Sequence, residues 1–152
     1  MSDVATDLKL IALDGEDLAV VSAHVQDAFV RREEMKYLAA QKRFALAASR
    51  YDWTAYAAGR KERVGAVLRF DRVLKVSQTG LVALKAETVL NLLAVSFDEN
   101  NPPGGVVTLT FSGGAAVRLE VECLEGELRD IGPRQPVAAC PGHALAGEPE
   151  TN

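Results

Sequence analysis

The sequence predicts an α+β protein made mainly of antiparallel strands, as a small barrel or two-sheet sandwich with an N-terminal helix. Three observations carry this prediction. Several short segments alternate apolar and polar residues, glycine- and proline-rich stretches separate them, and only one segment has clear helical spacing. The length of 152 residues indicates one domain. We expect a globular domain over 1–132 and a flexible, Pro/Gly/Ala-rich tail over 133–152.

The N-terminal elements are a short strand and then an amphipathic helix. The segment 8–13 is apolar and ends at Asp14, which is suited to N-cap a helix. Helical spacing then predicts a helix over 15–28, and four apolar residues give it one stripe. These residues are Leu18, Val21, Val25 and Ala28.

The segment 31–50 supports two interpretations. Its content of Ala, Glu, Lys, Arg and Leu favours a helix. The alternation of Phe44, Leu46 and Ala48 with polar or small residues favours strands instead. We interpret it as two strands, 29–38 and 43–53, joined by a turn near 40–42.

Strand patterns dominate the rest of the chain. We expect a surface loop over 54–61, strands over 64–77 and 89–97, and a loop over 98–105. A strand is expected from Val106 to Phe111, followed by a hairpin connection at 112–114 and a strand over 117–123.

The segment 122–131 is open between a helix and a strand. The spacing of Leu124, Leu128 and Ile131 indicates a short helix that ends before Gly132-Pro133, although a continued strand also agrees with it. A closing helix here would make the domain resemble the pleckstrin-homology barrel, which is an analogy of fold alone.

Charge divides the chain into three parts. The net charge is −5 over 1–30, +8 over 31–85 and −7 over 86–152, which gives −4 in total. One explanation is that the basic and acidic segments become neighbours in the fold. The other is a basic surface that binds a polyanion.

The composition narrows the cellular setting. No apolar run approaches the roughly 20 residues that span a bilayer, and the first residues resemble neither a secretory signal nor a transit peptide. We therefore expect a cytoplasmic protein that does not enter the membrane.

No catalytic, cofactor or metal residue is predicted. The two histidines, His24 and His143, do not accompany a nucleophile motif, and Cys123 falls on the apolar side of its strand. Cys140 and His143 supply too few ligands for a zinc site. The acidic row that starts at Glu120 is typical of a solvated strand.

One stretch interleaves cations with aromatic side chains, a pattern typical of partner-binding and nucleic-acid-binding surfaces. We interpret it as the face of a non-enzymatic binding or adaptor module with a protein partner. Binding of RNA or single-stranded nucleic acid is the alternative, and an enzyme with an unrecognised site is the third hypothesis. The candidate partner-binding residues are Arg43, Arg50, Tyr51, Trp53, Tyr56 and Arg60.

As a set, several segments resemble an uncharacterised alphaproteobacterial family of unknown function, the DUF2948-like proteins. The resemblance covers about 8–133 and implies strands, not a helix, over 31–53. It implies no reaction. The segments that carry it are 8–13, 25–28, 42–46, 50–53, 117–124 and 128–132.

Overall fold

A computed structural model describes residues 7–138. It contains ten β-strands and two α-helices, which confirms the α+β, mainly antiparallel class. The helices are α1 (Gly15–His24) and α2 (Trp53–Ala57). The strands are β1 (Lys9–Ala12), β2 (Ala28–Arg31), β3 (Met35–Leu38), β4 (Arg43–Tyr51), β5 (Glu62–Phe70), β6 (Val73–Thr79), β7 (Val89–Asn101), β8 (Gly104–Phe111), β9 (Ala116–Val121) and β10 (Gly126–Pro136).

All ten strands belong to one antiparallel sheet in the order β1-β10-β5-β4-β2-β7-β8-β9-β6, and β3 also pairs with β4. The sheet does not close into a barrel, because β1 and β6 remain at its two ends. Inward side chains of the curved sheet form a single apolar core, which α1 covers by packing on β7 and β1. The arrangement is therefore sandwich-like, with the core between its two halves.

The predicted N-terminal strand and helix are both present, but the helix is shorter than predicted. Asp14 caps α1, since its carboxylate accepts a hydrogen bond of 2.8 Å from the Asp17 N–H. The helix ends at His24, four residues before the predicted end. Asp27 then adopts a left-handed conformation (φ 63°), which stops the helix and turns the chain into β2.

The ambiguous segment 31–50 contains the strand β3 and most of β4, and the helix interpretation is wrong. Lys42 lies in the left-handed region at the predicted turn, and β4 follows it. The expected first strand is interrupted, however. A short 3₁₀ turn, Arg32–Glu34, separates β2 from β3, so these two strands meet different parts of β4.

Two further expectations for the middle of the chain are corrected. The predicted loop 54–61 includes most of α2, whose first turn is capped by Asp52. The predicted strand 64–77 is two strands, β5 and β6. The chain turns between them at Arg72, which has a positive φ of 64°.

The predicted loop 98–105 is also wrong, because β7 and β8 extend through it as a hairpin around the turn Pro102-Pro103. The predicted strand 117–123 ends at Val121, so Cys123 lies beyond it and is partly exposed.

Of the two alternatives for residues 122–131, the strand is correct from Gly126 onward, where β10 begins. The closing helix does not form, so the pleckstrin-homology comparison that depended on it is wrong. The strand continues to Pro136, past the predicted start of the tail. The rest of that predicted tail, 139–152, lies outside the described residues.

A bulge in β10 explains one glycine. The register between β10 and β5 shifts between Asp130 and Arg134, and this shift pushes the Gly132 carbonyl oxygen against Gly65. A Cβ atom at position 65 would overlap that oxygen, and because the oxygen belongs to the backbone of β10, no side-chain rotation can move it away. Gly65 is therefore needed for close strand approach.

We expect Gly65→Ala to destabilise the protein by about 1–3 kcal/mol, because the clash can be relieved only by moving the sheet backbone. Urea denaturation measures the effect. Gly15→Ala is the matched control, since a Cβ there meets nothing within 4 Å. Equal stabilities for the two variants would contradict the argument.

Candidate binding site

A buried ion pair lies at one end of β4, on the inward side of the sheet. Arg50 continues the inward row of β4 and donates two hydrogen bonds of 2.8 Å to the carboxylate of Asp130 on β10. The side chains are only 2% and 0% exposed. The backbone N–H of Leu8 donates a further bond of 2.9 Å to Asp130. This ion pair thus joins β4, β10 and the segment leading into β1.

Asp52 and Arg134 form a second ion pair next to the first. Arg134 Nη1 donates a hydrogen bond of 2.7 Å to Asp52, whose other oxygen accepts the Ala55 N–H at the start of α2. Burial favours a raised pKa for Asp52. The hydrogen bonds from Ala55 and Arg134 and the charge of Arg50 outweigh it, so the pKa lies below its ordinary value. Asp52 therefore stays ionised and holds α2 against β10.

His24, at the end of α1, lies close enough to these ion pairs for their charges to affect its pKa. Burial lowers its pKa below the ordinary value of 6.5, and the charge of Arg50 lowers it further. The carboxylates of Asp52 and Asp130 oppose this shift without reversing it. The neutral imidazole is consequently the favoured form in the folded protein.

The structure divides the predicted basic and aromatic face. Arg43 lies at the start of β4, where it donates a hydrogen bond of 2.7 Å to Asp71. Arg50 and Tyr51, at the far end of the strand, are buried. These two residues therefore do not belong to an exposed surface, which corrects the expectation for them.

The remaining three candidates lie just beyond β4. Tyr56 is 45% exposed, while Trp53 and Arg60 are half-buried. Trp53 packs edge-on against Tyr51, with ring centroids 4.7 Å apart, and Arg60 lies 3.4 Å from a carboxylate oxygen of Glu62. The aromatic rings thus cover this end of the sheet, and a role for them in binding a partner stays a prediction.

A groove that the sequence did not reveal lies on the outward side of β4. Residues Met35–Leu38 pair with one half of β4, and Phe29 pairs with Ser49. Ala47 and Ala48 lie between these two sets of pairings. Within residues 7–138, no residue of β2 or β3 is paired with either of them. Because these two positions of β4 are unpaired on this side, a groove of about 400 Å³ is left there. Its lining residues are Phe29, Arg31, Glu34, Ala47, Ala48, Ser49 and Val89.

The walls of this β4 groove are apolar and accessible. Phe29 is 41% exposed and Val89 is 55% exposed, and the floor is made of small side chains. The guanidinium of Arg63 stacks on the Phe29 ring at 3.7 Å, and its Nη1 donates to the Ser49 carbonyl. Burial lowers the pKa of Arg63, because removal from water disfavours the charged guanidinium, and the charge of Asp27 opposes this shift. The stack fixes one wall in place.

The outward surface around the groove is basic. We define the basic sheet face as the outward side chains of β1–β5 and of β10 up to Ile131, read from the alternation of burial along each strand. Glu127 is the acidic side chain at these positions. The cationic side chains are Lys9, Arg31, Lys36, Arg43, Arg63, Arg69 and Arg129.

Intramolecular ion pairs neutralise part of the charge of the basic segment. Cations of 31–85 meet acids of 86–152 at Lys42–Glu122, Arg69–Glu127 and the Arg50–Asp130 pair. The explanation by neighbouring charges is therefore correct for these residues. Arg43 and Arg69 also pair with Asp71, and Arg31 pairs with Glu33. At its strand positions the basic sheet face still has more cations than acids, on a protein whose total charge is −4.

Neither a metal-binding cluster nor a helix of membrane-spanning length occurs in the described part of the chain. Residues 7–138 contain no cluster of three or more His, Cys, Asp or Glu that could hold a metal ion. No α-helix among them has the length and apolar character needed to cross a membrane. The β4 groove and the basic sheet face are therefore the candidate binding site.

These features define a curved antiparallel α+β protein with an apolar groove in a basic sheet face. A family model described as a protein of unknown function, DUF2948, matches residues 8–143. The chain belongs to this family. Neither a curated protein nor a solved structure matches it.

We expect Asp130→Ala to cost about 3–5 kcal/mol in urea denaturation, because it leaves Arg50 charged, buried and without its carboxylate. The double variant Arg50→Met/Asp130→Leu should be less destabilised than this single variant, since no buried charge is left without its partner. Arg129→Ala, at the neighbouring position of the same strand with a side chain 54% exposed, is the control and should change stability by about 1 kcal/mol or less. A double variant worse than Asp130→Ala would contradict this account.

His24 should make the stability depend on pH below about 6.5. Its pKa is lower in the folded than in the unfolded state, so the unfolded chain binds the proton first and stability falls as the pH drops. Melting temperatures between about pH 7.5 and pH 5 measure this slope. His24→Gln should flatten it, while His143→Gln, which leaves His24 intact, should retain it. An unchanged slope in His24→Gln would refute the assignment.

Proposed function

We propose that this protein is a cytoplasmic binding module, whose β4 groove takes an apolar side chain from a segment of a protein partner. The β4 groove carries the proposal, because it keeps Phe29 and Val89 accessible beside a floor of small residues. An alphaproteobacterial cytoplasm is the setting that the sequence resemblance implied, and it is part of the proposal.

The groove has two properties of an anchor pocket. Its floor and walls come from strands that are hydrogen-bonded to neighbouring strands elsewhere along their length, so the groove is largely preformed. Binding therefore costs little conformational entropy in the protein. Its volume of about 400 Å³ also exceeds that of a single side chain, so an anchor and part of its flanking backbone can enter. Binding energy at protein interfaces concentrates in such anchored side chains.

The β4 groove lies next to the surface that the sequence predicts around residues 43–60, and it takes the place of that surface as the main binding site of the proposal. Arg50 supports β4 from the inward side, while Tyr51 is buried on the outward side, where Arg63 contacts both it and the groove residue Phe29. Trp53, Tyr56 and Arg60 border the same end of the sheet and form a second contact region of the proposed module.

Selection of peptides from a displayed random library against the intact protein tests the proposal. We expect enriched peptides to share one apolar residue. Their affinity should fall about tenfold or more in Ala47→Leu, which fills the groove, when measured by fluorescence anisotropy.

Ala94→Leu is the matched control, because Ala94 is exposed on β7 but lies outside both the groove lining and the basic sheet face. It should retain peptide affinity, and both variants should keep the circular dichroism spectrum. Failure to enrich any peptide, or equal affinity in Ala47→Leu, would reject the groove as the binding site.

A further inference from the structure

We infer that the segment bound in the β4 groove is acidic, with carboxylates flanking its apolar anchor. This inference rests on the proposed function and adds the charge of the partner. It is carried by the excess of cations on the basic sheet face, and in particular by those that are exposed around the groove.

The cations surround the groove on several sides. Arg31 lines it, and its side chain is 57% exposed. Lys36 is paired in register with Ala45, one outward position along β4 from Ala47. Arg129 is opposite Val67, which is opposite Ala47, so it lies two strands from the groove floor, about 10 Å away. An anchor residue in the groove thus places its neighbours within reach of three cations.

These cations are available to a partner to different degrees. Among residues 7–138 no ion pair involves Lys36, and it is exposed. Arg129 is 54% exposed and meets Glu127 only at 3.5 Å, while Glu127 also contacts Lys9 and Arg69. Glu127 therefore contacts three cations, and of these Arg69 also lies 3.3 Å from Asp71. Arg31 donates a hydrogen bond of 3.1 Å to Glu33, so Lys36, Lys9 and Arg129 are the cations whose pairing a partner's carboxylates would complete. Glu34 at the rim limits how many acids can bind on its side.

The same face is less suited to nucleic acid. Single-stranded nucleic acid needs accessible rings on which bases stack. Within the described residues the aromatic side chains on this face are Phe29, whose ring already carries the Arg63 guanidinium, and Tyr51, which is buried. The groove offers alanine and valine surfaces instead, which favours an aliphatic anchor.

Peptides of defined charge test the inference. The probes are a ten-residue peptide with a central leucine flanked by aspartates, the same peptide flanked by lysines, and an aspartate peptide with serine in place of leucine. We expect the aspartate–leucine peptide to bind about tenfold tighter than either other peptide, and its affinity to fall between about 50 and 200 mM salt.

Charge reversal provides the matched variants. Lys36→Glu/Arg129→Glu should reverse the preference in favour of the lysine peptide. Lys75→Glu/Lys85→Glu changes the net charge equally at exposed sites outside the basic sheet face, and should leave the preference unchanged. The circular dichroism spectrum of each variant checks its fold.

The outcomes separate the two proposals. Library peptides that share an apolar anchor but have no acidic excess would overturn the inference and leave the proposed function intact. A library that yields no groove-dependent peptide would overturn both. Tighter binding of a uridine 20-mer than of any peptide, lost in Lys36→Glu/Arg129→Glu, would identify the face as a nucleic-acid surface and overturn the inference as well.

Discussion

The buried ion pair between Arg50 and Asp130 is the constraint on which the rest of this structure depends. It joins strands that are far apart in sequence, and the Leu8 N–H connects the same carboxylate to the start of the described chain. Two buried charges are costly unless they are well paired, so the chain gains their mutual attraction only when β4, β5 and β10 are in register. The ion pair thus favours one alignment of the sheet. Because β4 also carries the groove on its opposite side, this register sets where the groove lies.

The alternation of apolar and polar residues explains which elements could be predicted. It correctly indicated β4, β8 and β9, because each of these strands has one buried side and one partly exposed side. The same pattern already placed Arg50 on the buried side, two residues after Ala48. A charged side chain at an inward position indicates a buried ion pair. The cation–aromatic pattern of the sequence instead predicts that Arg50 belongs to a binding surface.

The sequence leaves residues 122–131 open between a helix and a strand because few inward positions of β10 are apolar. Its inward positions are Gly126, Leu128 and Asp130, so only one of the three has an apolar side chain of ordinary size. The apolar residues that remain, Leu124, Leu128 and Ile131, therefore imitate helical spacing. The groove was hidden for a different reason, since it arises from the change of partner strand along β4. Such a feature depends on contacts distant in sequence and leaves no local pattern.

The change of partner along β4 also affects how the family can diversify. The groove exists because backbone ladders stop and restart beside Ala47 and Ala48, and its side walls are supplied by outward residues such as Phe29 and Val89. Outward side chains contribute little to the core, so they can be exchanged at small cost in stability. Related proteins can thus inherit the groove through the strand arrangement while its walls change. The fold separates the existence of the groove from the chemistry of its walls, and selection can act on each independently.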